Sequence, residues 1–171
     1  MSPRRHAKMP ILIYCEGAHD QVFVRHLERS YSNRSSHIYF DIKHGDGGSP
    51  KSLVEKAFKM PGDYAQRIVI FDNDRGEDEL RDAQSLASEK SIQLSYFTPC
   101  LEHVLLGILE PQKDFSSTPT VQLKRRLHAN YISVNKRRDL QEYQRLYPKQ
   151  LIDNARARIH ELHEKISILE Q

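Results

Sequence analysis

Ile68-Val69-Ile70-Phe71-Asp72-Asn73-Asp74-Arg75-Gly76 is the stretch that decides the fold of this 171-residue chain. Four apolar residues run without interruption and then stop at acids and a glycine. A run this short, continuous and bounded by turn residues reads as a buried strand. Upstream, Ile11-Leu12-Ile13-Tyr14-Cys15 has the same form and stops at Glu16-Gly17. Tyr39 to Lys43 reads as a further strand, and Ile92 to Phe97 as a fourth, closed by Pro99. Helical patterns lie between them. From His19 to Ser30, Val22, Phe23, His26 and Leu27 share one face. Ser49 and Pro50 supply an N-cap and a first helical residue for a helix to about Lys59, with Leu53, Val54, Ala57 and Phe58 inward. Asp78 to Lys90 forms the third helix. Strands alternating with helices predict an α/β fold: a mostly parallel four-stranded sheet, Rossmann-like, flanked by helices.

Beyond the fourth strand the pattern turns helical. Residues 101–109 read as a short buried helix, Thr118 to Leu127 and Asp139 to Tyr147 as helices, and Pro148 to Glu170 as one long terminal helix. The expected organisation is a basic leader over 1–10, an α/β core over 11–110 and a basic helical extension over 111–171 packed on that core.

Composition narrows the function. No apolar run approaches the roughly 18–20 residues of a membrane span, and no basic-then-apolar signal peptide opens the chain. Cys15 and Cys100 show no zinc-ligand spacing and read as reduced thiols of a cytoplasmic protein. The nine histidines form no zinc pattern either. No P-loop is present, so any ATPase would be a partner protein. The net charge of +3 is unevenly spread. Residues 1–120 carry 15 basic and 17 acidic side chains, whereas residues 121–171 carry 11 and 6. The C-terminal excess, with Lys124, Arg125, Arg126, Lys136, Arg137 and Arg138 among its members, reads either as a phosphate-backbone face or as a solvated helix surface. Tyr131, Tyr143 and Tyr147 interleave with it, either to stack on bases or to pack beneath the helices.

In parallel sheets ligands sit beyond the carboxyl ends of the strands. Glu16 ends the first strand, and Asp72 and Asp74 end the third, so all three are expected at one sheet edge. Asp72 and Asp74 are two apart, which on an extended segment points both the same way. Clustered carboxylates repel and raise one another's pKa unless a cation neutralises them. Oxygen ligands of this kind suit Mg²⁺ or Mn²⁺ rather than zinc. Asp20 is either a further metal-site residue or an acid favoured at a helix N-terminus. Glu102, in an otherwise apolar helix, needs a partner: a second metal or a structural Arg or Lys. His19, beside Glu16 and Asp20, is a candidate phosphate contact. The turn Gly45-Asp46-Gly47-Gly48 offers backbone amides to phosphate or is simply a turn.

Two of these segments resemble the motifs of the Toprim domain. They are Glu16-Gly17 with Asp20 and Phe23, and Asp72-Asn73-Asp74 with Gly76, about 55 residues apart. Phe97-Thr98-Pro99-Cys100-Leu101-Glu102-His103-Val104-Leu105-Leu106 resembles the Pro-Cys-Phe-Glu-x-Trp-Leu-Leu segment of the RloB-like family, a Toprim-type family linked to bacterial defence. Leu101 and Val104 replace the aromatics usual there. The tail from Asn130-Tyr131 through Lys136 to Ala155-Arg156-Ala157 is similar as well. The resemblance implies a Toprim-like core and Mg²⁺-dependent (or Mn²⁺-dependent) cleavage of DNA or RNA in defence against phage, with an ATPase or other defence subunit as partner. It implies Glu16 as metal ligand or general acid–base, Asp72 and Asp74 as metal ligands, and Lys136 as a stabiliser of transition-state charge. A non-catalytic or partner-dependent nucleic-acid-binding module is the competing reading, and Toprim-type nucleotidyl transfer a third.

Overall fold

The computed structural model describes residues 9–33 and 35–171. Its sheet is built from β1 (Met9–Cys15), β2 (Ile38–His44), β3 (Gln66–Asp72) and β4 (Gln93–Phe97). All pairings are parallel, in the order β2-β1-β3-β4. Side chains alternate across a strand, and here both faces are apolar. Ile11, Ile13 and Cys15 of β1, with Ile68 and Ile70 of β3, enter one core. Leu12, Tyr14, Val69 and Phe71 enter the other. The continuous apolar runs are therefore the signature of a sheet covered on both sides. Of the leader expected over 1–10, the first eight residues lie outside the described residues, and Met9 and Pro10 open β1.

The chain leaves β1 for β2, returns past β1 to β3, and continues to β4. Right-handed crossovers in opposite directions place their helices on opposite faces. Helix α1 (Ala18–Tyr31) accordingly packs Val22, Phe23 and Leu27 into the first core. Helices α2 (Pro50–Lys59) and α3 (Glu77–Glu89) pack Leu53, Val54, Ala57, Ala83 and Ala87 into the second. Ser49 caps α2 through its side chain, accepting the Ser52 N–H at 3.2 Å. Phe58 is not inward; it is 47% exposed, with Lys90 over its ring, so α2 buries a narrower stripe than its apolar content predicts.

The remaining helices all join the α1 side: α4 (Leu101–Leu109), α5 (Thr120–Asn130), α6 (Leu140–Leu146), α7 (Lys149–Arg156) and α8 (His160–Leu169). Phe23 of α1 is their anchor. Its ring lies 6.3 Å from Phe97, 6.1 Å from Tyr143 and 6.2 Å from Tyr147. Aromatic pairs of this kind contribute about 0.5–1.5 kcal/mol each beyond area burial. Tyr143 and Tyr147 are thus core residues with no face free for a base. The single terminal helix expected over Pro148–Glu170 is two helices. The chain turns extended at Ile159, and Arg156 grips Glu170 with two hydrogen bonds of 2.8 and 2.7 Å, holding α8 back against α7. Among the described residues no helix is long and apolar enough to cross a membrane.

Candidate functional site

The direction of the chain across the sheet reverses between β1 and β3, which opens a crevice at their carboxyl ends. Glu16 sits at that point. Its N–H donates to the Ile70 carbonyl at 2.9 Å, continuing the ladder, and its Oε2 accepts the Asp72 N–H at 3.1 Å. Asp72, the last residue of β3, accepts the Leu101 N–H on Oδ1 at 2.9 Å and so ties the strand to the start of α4. Asp20 accepts the Gly17 N–H on Oδ2 at 3.0 Å, closing the first turn of α1. Glu102 is 4% exposed, and its Oε1 lies 3.6 Å from His19 Nδ1. One donor atom each from Asp72, Cys100 and Glu102 lies within 4.8 Å of the other two.

These groups border a cleft of about 440 Å³. Glu16, Asp20, Asp72 and Glu102 line it together with Lys124, His128, Arg137 and Arg138, and with the loop that follows β2. Lys124 Nζ stands 4.0 Å from Asp72 Oδ2. Burial raises the pKa of Glu16 and, further, that of Asp72. It pushes Asp20 up to about 6, against the pull of His19. Burial acts upward on Glu102 too, but the proximity of His19 outweighs it and brings the group down to about 2. Burial opposes the charge of Lys124, yet Glu102 and Asp72 outweigh it and raise its pKa. Among the described residues, Glu102 Oε2 and His19 Nε2 are buried without a hydrogen-bond partner. A buried polar atom left unpaired costs about 1–3 kcal/mol, more if charged. Four carboxyl groups and an orphaned carboxylate oxygen fit a divalent cation, and the Asp72–Cys100–Glu102 group can hold one.

The sequence model of the RloB family, described as RloB-like protein, matches residues 11–171. The chain belongs to the RloB-like family. No curated protein and no solved structure shows significant similarity to it.

The RloB-like chain gathers Glu16 and Asp20 from the β1–α1 junction, Asp72 from the end of β3 and Glu102 from α4 into one cleft. Asp74 is not among them. Strand alternation ends with β3 at Asp72, the Asn73 N–H makes a last bond to the Phe97 carbonyl, and Asp74 is exposed beyond it. Its charge still raises the Glu16 pKa. Lys136 is exposed in the single helical turn Val134–Lys136, 3.0 Å from Glu142 Oε1, and does not border the cleft. Arg137 and Arg138 do. Arg125 is exposed, whereas Arg126 is held in a two-pronged pair with Glu110 at 2.8 and 2.7 Å.

In the glycine turn, two amides are used by the main chain: Gly45 N–H to the Cys15 carbonyl and Gly47 N–H to the Glu16 carbonyl. The turn therefore braces Glu16. Gly47 and Gly48 have φ of +80° and +128°, where side chains are strained. Cys100, His44 and His128 were not legible as site residues. For Cys100 a signal existed: a thiol two residues before a buried acid, just after a strand end.

Proposed function

We propose that this RloB-like protein is a phosphodiester hydrolase acting on DNA or RNA with Mg²⁺ or Mn²⁺ at Glu16 and Asp72. The observation that carries the reading is the pairing of these acids at the sheet's reversal point, in the same cleft as Lys124, Arg137 and Arg138. A divalent ion would supply charge neutralisation at the phosphoryl group and a more acidic water. The remaining work falls to the chain. Glu16, whose pKa burial raises, is the group that holds or moves a proton at its carboxylate. Lys124 and the two arginines bind and orient the phosphate backbone, and Lys124 adds positive charge beside the reacting oxygens. Asp20 fixes Gly17 and with it the entry to α1. Asp74 adds negative charge from the exposed side. A defence role against phage, and an ATPase as partner subunit, belong to the same proposal and are supported by family membership alone.

A second reading, a non-catalytic nucleic-acid-binding module, is favoured by Lys124, which stands as a counter-cation in the acids' own site. One experiment separates the two. Purified protein is incubated with single- and double-stranded DNA and RNA in Mg²⁺ or Mn²⁺. Glu16→Gln and Asp72→Asn are each expected to lower cleavage by about 10²-fold or more, with circular dichroism unchanged and salt-sensitive binding retained. Cleavage that persists in both variants, or binding by a wild type that never cleaves, removes the hydrolase reading.

A further inference from the structure

Cys100 gives the floor of the cleft a donor that Mg²⁺ does not favour. We propose that Asp72, Cys100 and Glu102 form an ion site of their own, selective for a first-row divalent ion with affinity for sulfur, Zn²⁺ foremost, over Mg²⁺. The phosphodiester reading gives this site its chemical purpose, and the site shares Asp72 with it.

The three donor atoms lie within 4.8 Å of one another, although they come from β3, the turn after β4 and α4. A tetrahedral ion bound at about 2.0–2.3 Å holds its ligand atoms about 3.5 Å apart. Side-chain rotations of about 1 Å close the set. The second observation is Glu102 itself. It is 4% exposed, His19 stands at its Oε1, and Oε2 is buried without a hydrogen-bond partner among the described residues. A nine-tenths-buried carboxylate with an unpartnered oxygen, beside a thiol and a second carboxylate, is a ligand set suited to a cation, and Lys124, 4.0 Å from Asp72 Oδ2, is the positive charge that such an ion would supplement. The third is donor chemistry. Carboxylates alone would suit Mg²⁺ or Mn²⁺, but a sulfur ligand moves the preference to zinc-class ions. Asp72 and Glu102 line the cleft, whereas Cys100 is fully buried and does not. The ion would therefore sit beneath the cleft with sulfur behind it. Three protein donors leave its fourth position open to the cleft, as in zinc sites that act on substrates. On binding, the thiol proton passes to the buffer.

Co²⁺ is the probe, because its thiolate complexes show a charge-transfer absorption in the near ultraviolet that oxygen-only sites lack. Titration of the full chain is expected to give this band at one equivalent. Cys100→Ser abolishes it, Glu102→Gln weakens Co²⁺ binding by tenfold or more, and Cys15→Ser leaves the band intact. Zn²⁺ displaces Co²⁺ stoichiometrically, and a hundredfold excess of Mg²⁺ does not. No band in the folded wild type, a band that survives Cys100→Ser, or ready displacement by Mg²⁺ overturns the site. The readout is independent of cleavage. A cobalt band without cleavage of any substrate leaves the ion site standing and removes the hydrolase reading, and Mg²⁺-dependent cleavage without the band does the reverse.

Discussion

Asp20 has two surroundings that pull against each other. Its carboxylate does a local task, accepting the Gly17 N–H, yet it is only 8% exposed and faces the charges of Glu16 and Glu102. Burial and those neighbours raise its pKa from 3.8 to about 6, against the opposing pull of His19. The sign of the stability effect follows. Between about pH 4 and pH 6 the native chain retains a proton that the unfolded chain has lost, so stability falls as pH rises through this window. Above pH 6 the full penalty is present. Asp20→Asn keeps an oxygen for Gly17 and removes the ionisation, so it is expected to raise the stability of the metal-free protein at pH 7–8. The gain is on the order of 1–3 kcal/mol at 1.36 kcal/mol per pKa unit, with little change at pH 4. Thermal unfolding at the two pH values checks this. Equal effects at both would mean that the charge of Asp20 is not what strains the site. The same residue shows a limit of sequence reading. Its place after Glu16-Gly17 allowed both a helix-start role and a site role, and the structure gives it the first while setting it inside the second.

At the scale of elements, the sheet was legible because burial on both faces leaves a plain mark. The apolar runs from Ile11 and Ile68 stop where the strands stop, at Cys15 and just before Asp72. The capped start of α2 at Ser49 was legible for an equally local reason. The break between α7 and α8 was not, since no glycine or proline marks residues 157–159. Tertiary contacts make it instead: the Arg156–Glu170 grip, and Ile159, whose Cδ1 packs against Gly107 of α4. Asp74 lies past the end of β3, where strand alternation no longer holds, and it does not line the cleft. The fold of α8 onto the sheet also buries Lys165, 1% exposed, which donates to Ser95 Oγ at 2.8 Å and to the Tyr96 carbonyl at 2.9 Å. Burial lowers its pKa to about 8. Between about pH 8 and pH 10 the unfolded lysine keeps its proton while the native one loses it, so stability from this group rises with pH. Lys165→Met removes that contribution. The difference in unfolding free energy between wild type and variant is expected to grow in favour of wild type from pH 8 to pH 10. A difference that stays flat would show that Lys165 is not desolvated by the α8–β4 contact.

Charge is organised across the whole molecule. The basic excess of residues 121–171 is divided by the fold into cations that face the cleft and cations already committed to the chain's own acids. Lys124, Arg137 and Arg138 belong to the first group, whereas Arg126, paired with Glu110, and Lys136, beside Glu142, belong to the second. A sequence count cannot make this division, because Glu110 and Arg126 meet only when α5 packs on α4. The division predicts two kinds of arginine variant. Each phosphate contact contributes about 0.7–0.9 to the slope of log K against log salt, on single- or double-stranded nucleic acid. Arg138→Ala and Arg137→Ala are each expected to lower that slope by about this amount. Arg126→Ala is expected to leave it unchanged and instead to lower the melting temperature slightly, because the two-pronged pair with Glu110 that joins α5 to the end of α4 is lost. Fluorescence anisotropy across a salt series, run beside thermal melts, tests both arms. If Arg126→Ala changes the slope as much as Arg138→Ala does, the bound strand runs over the outer face of α5 and not through the cleft.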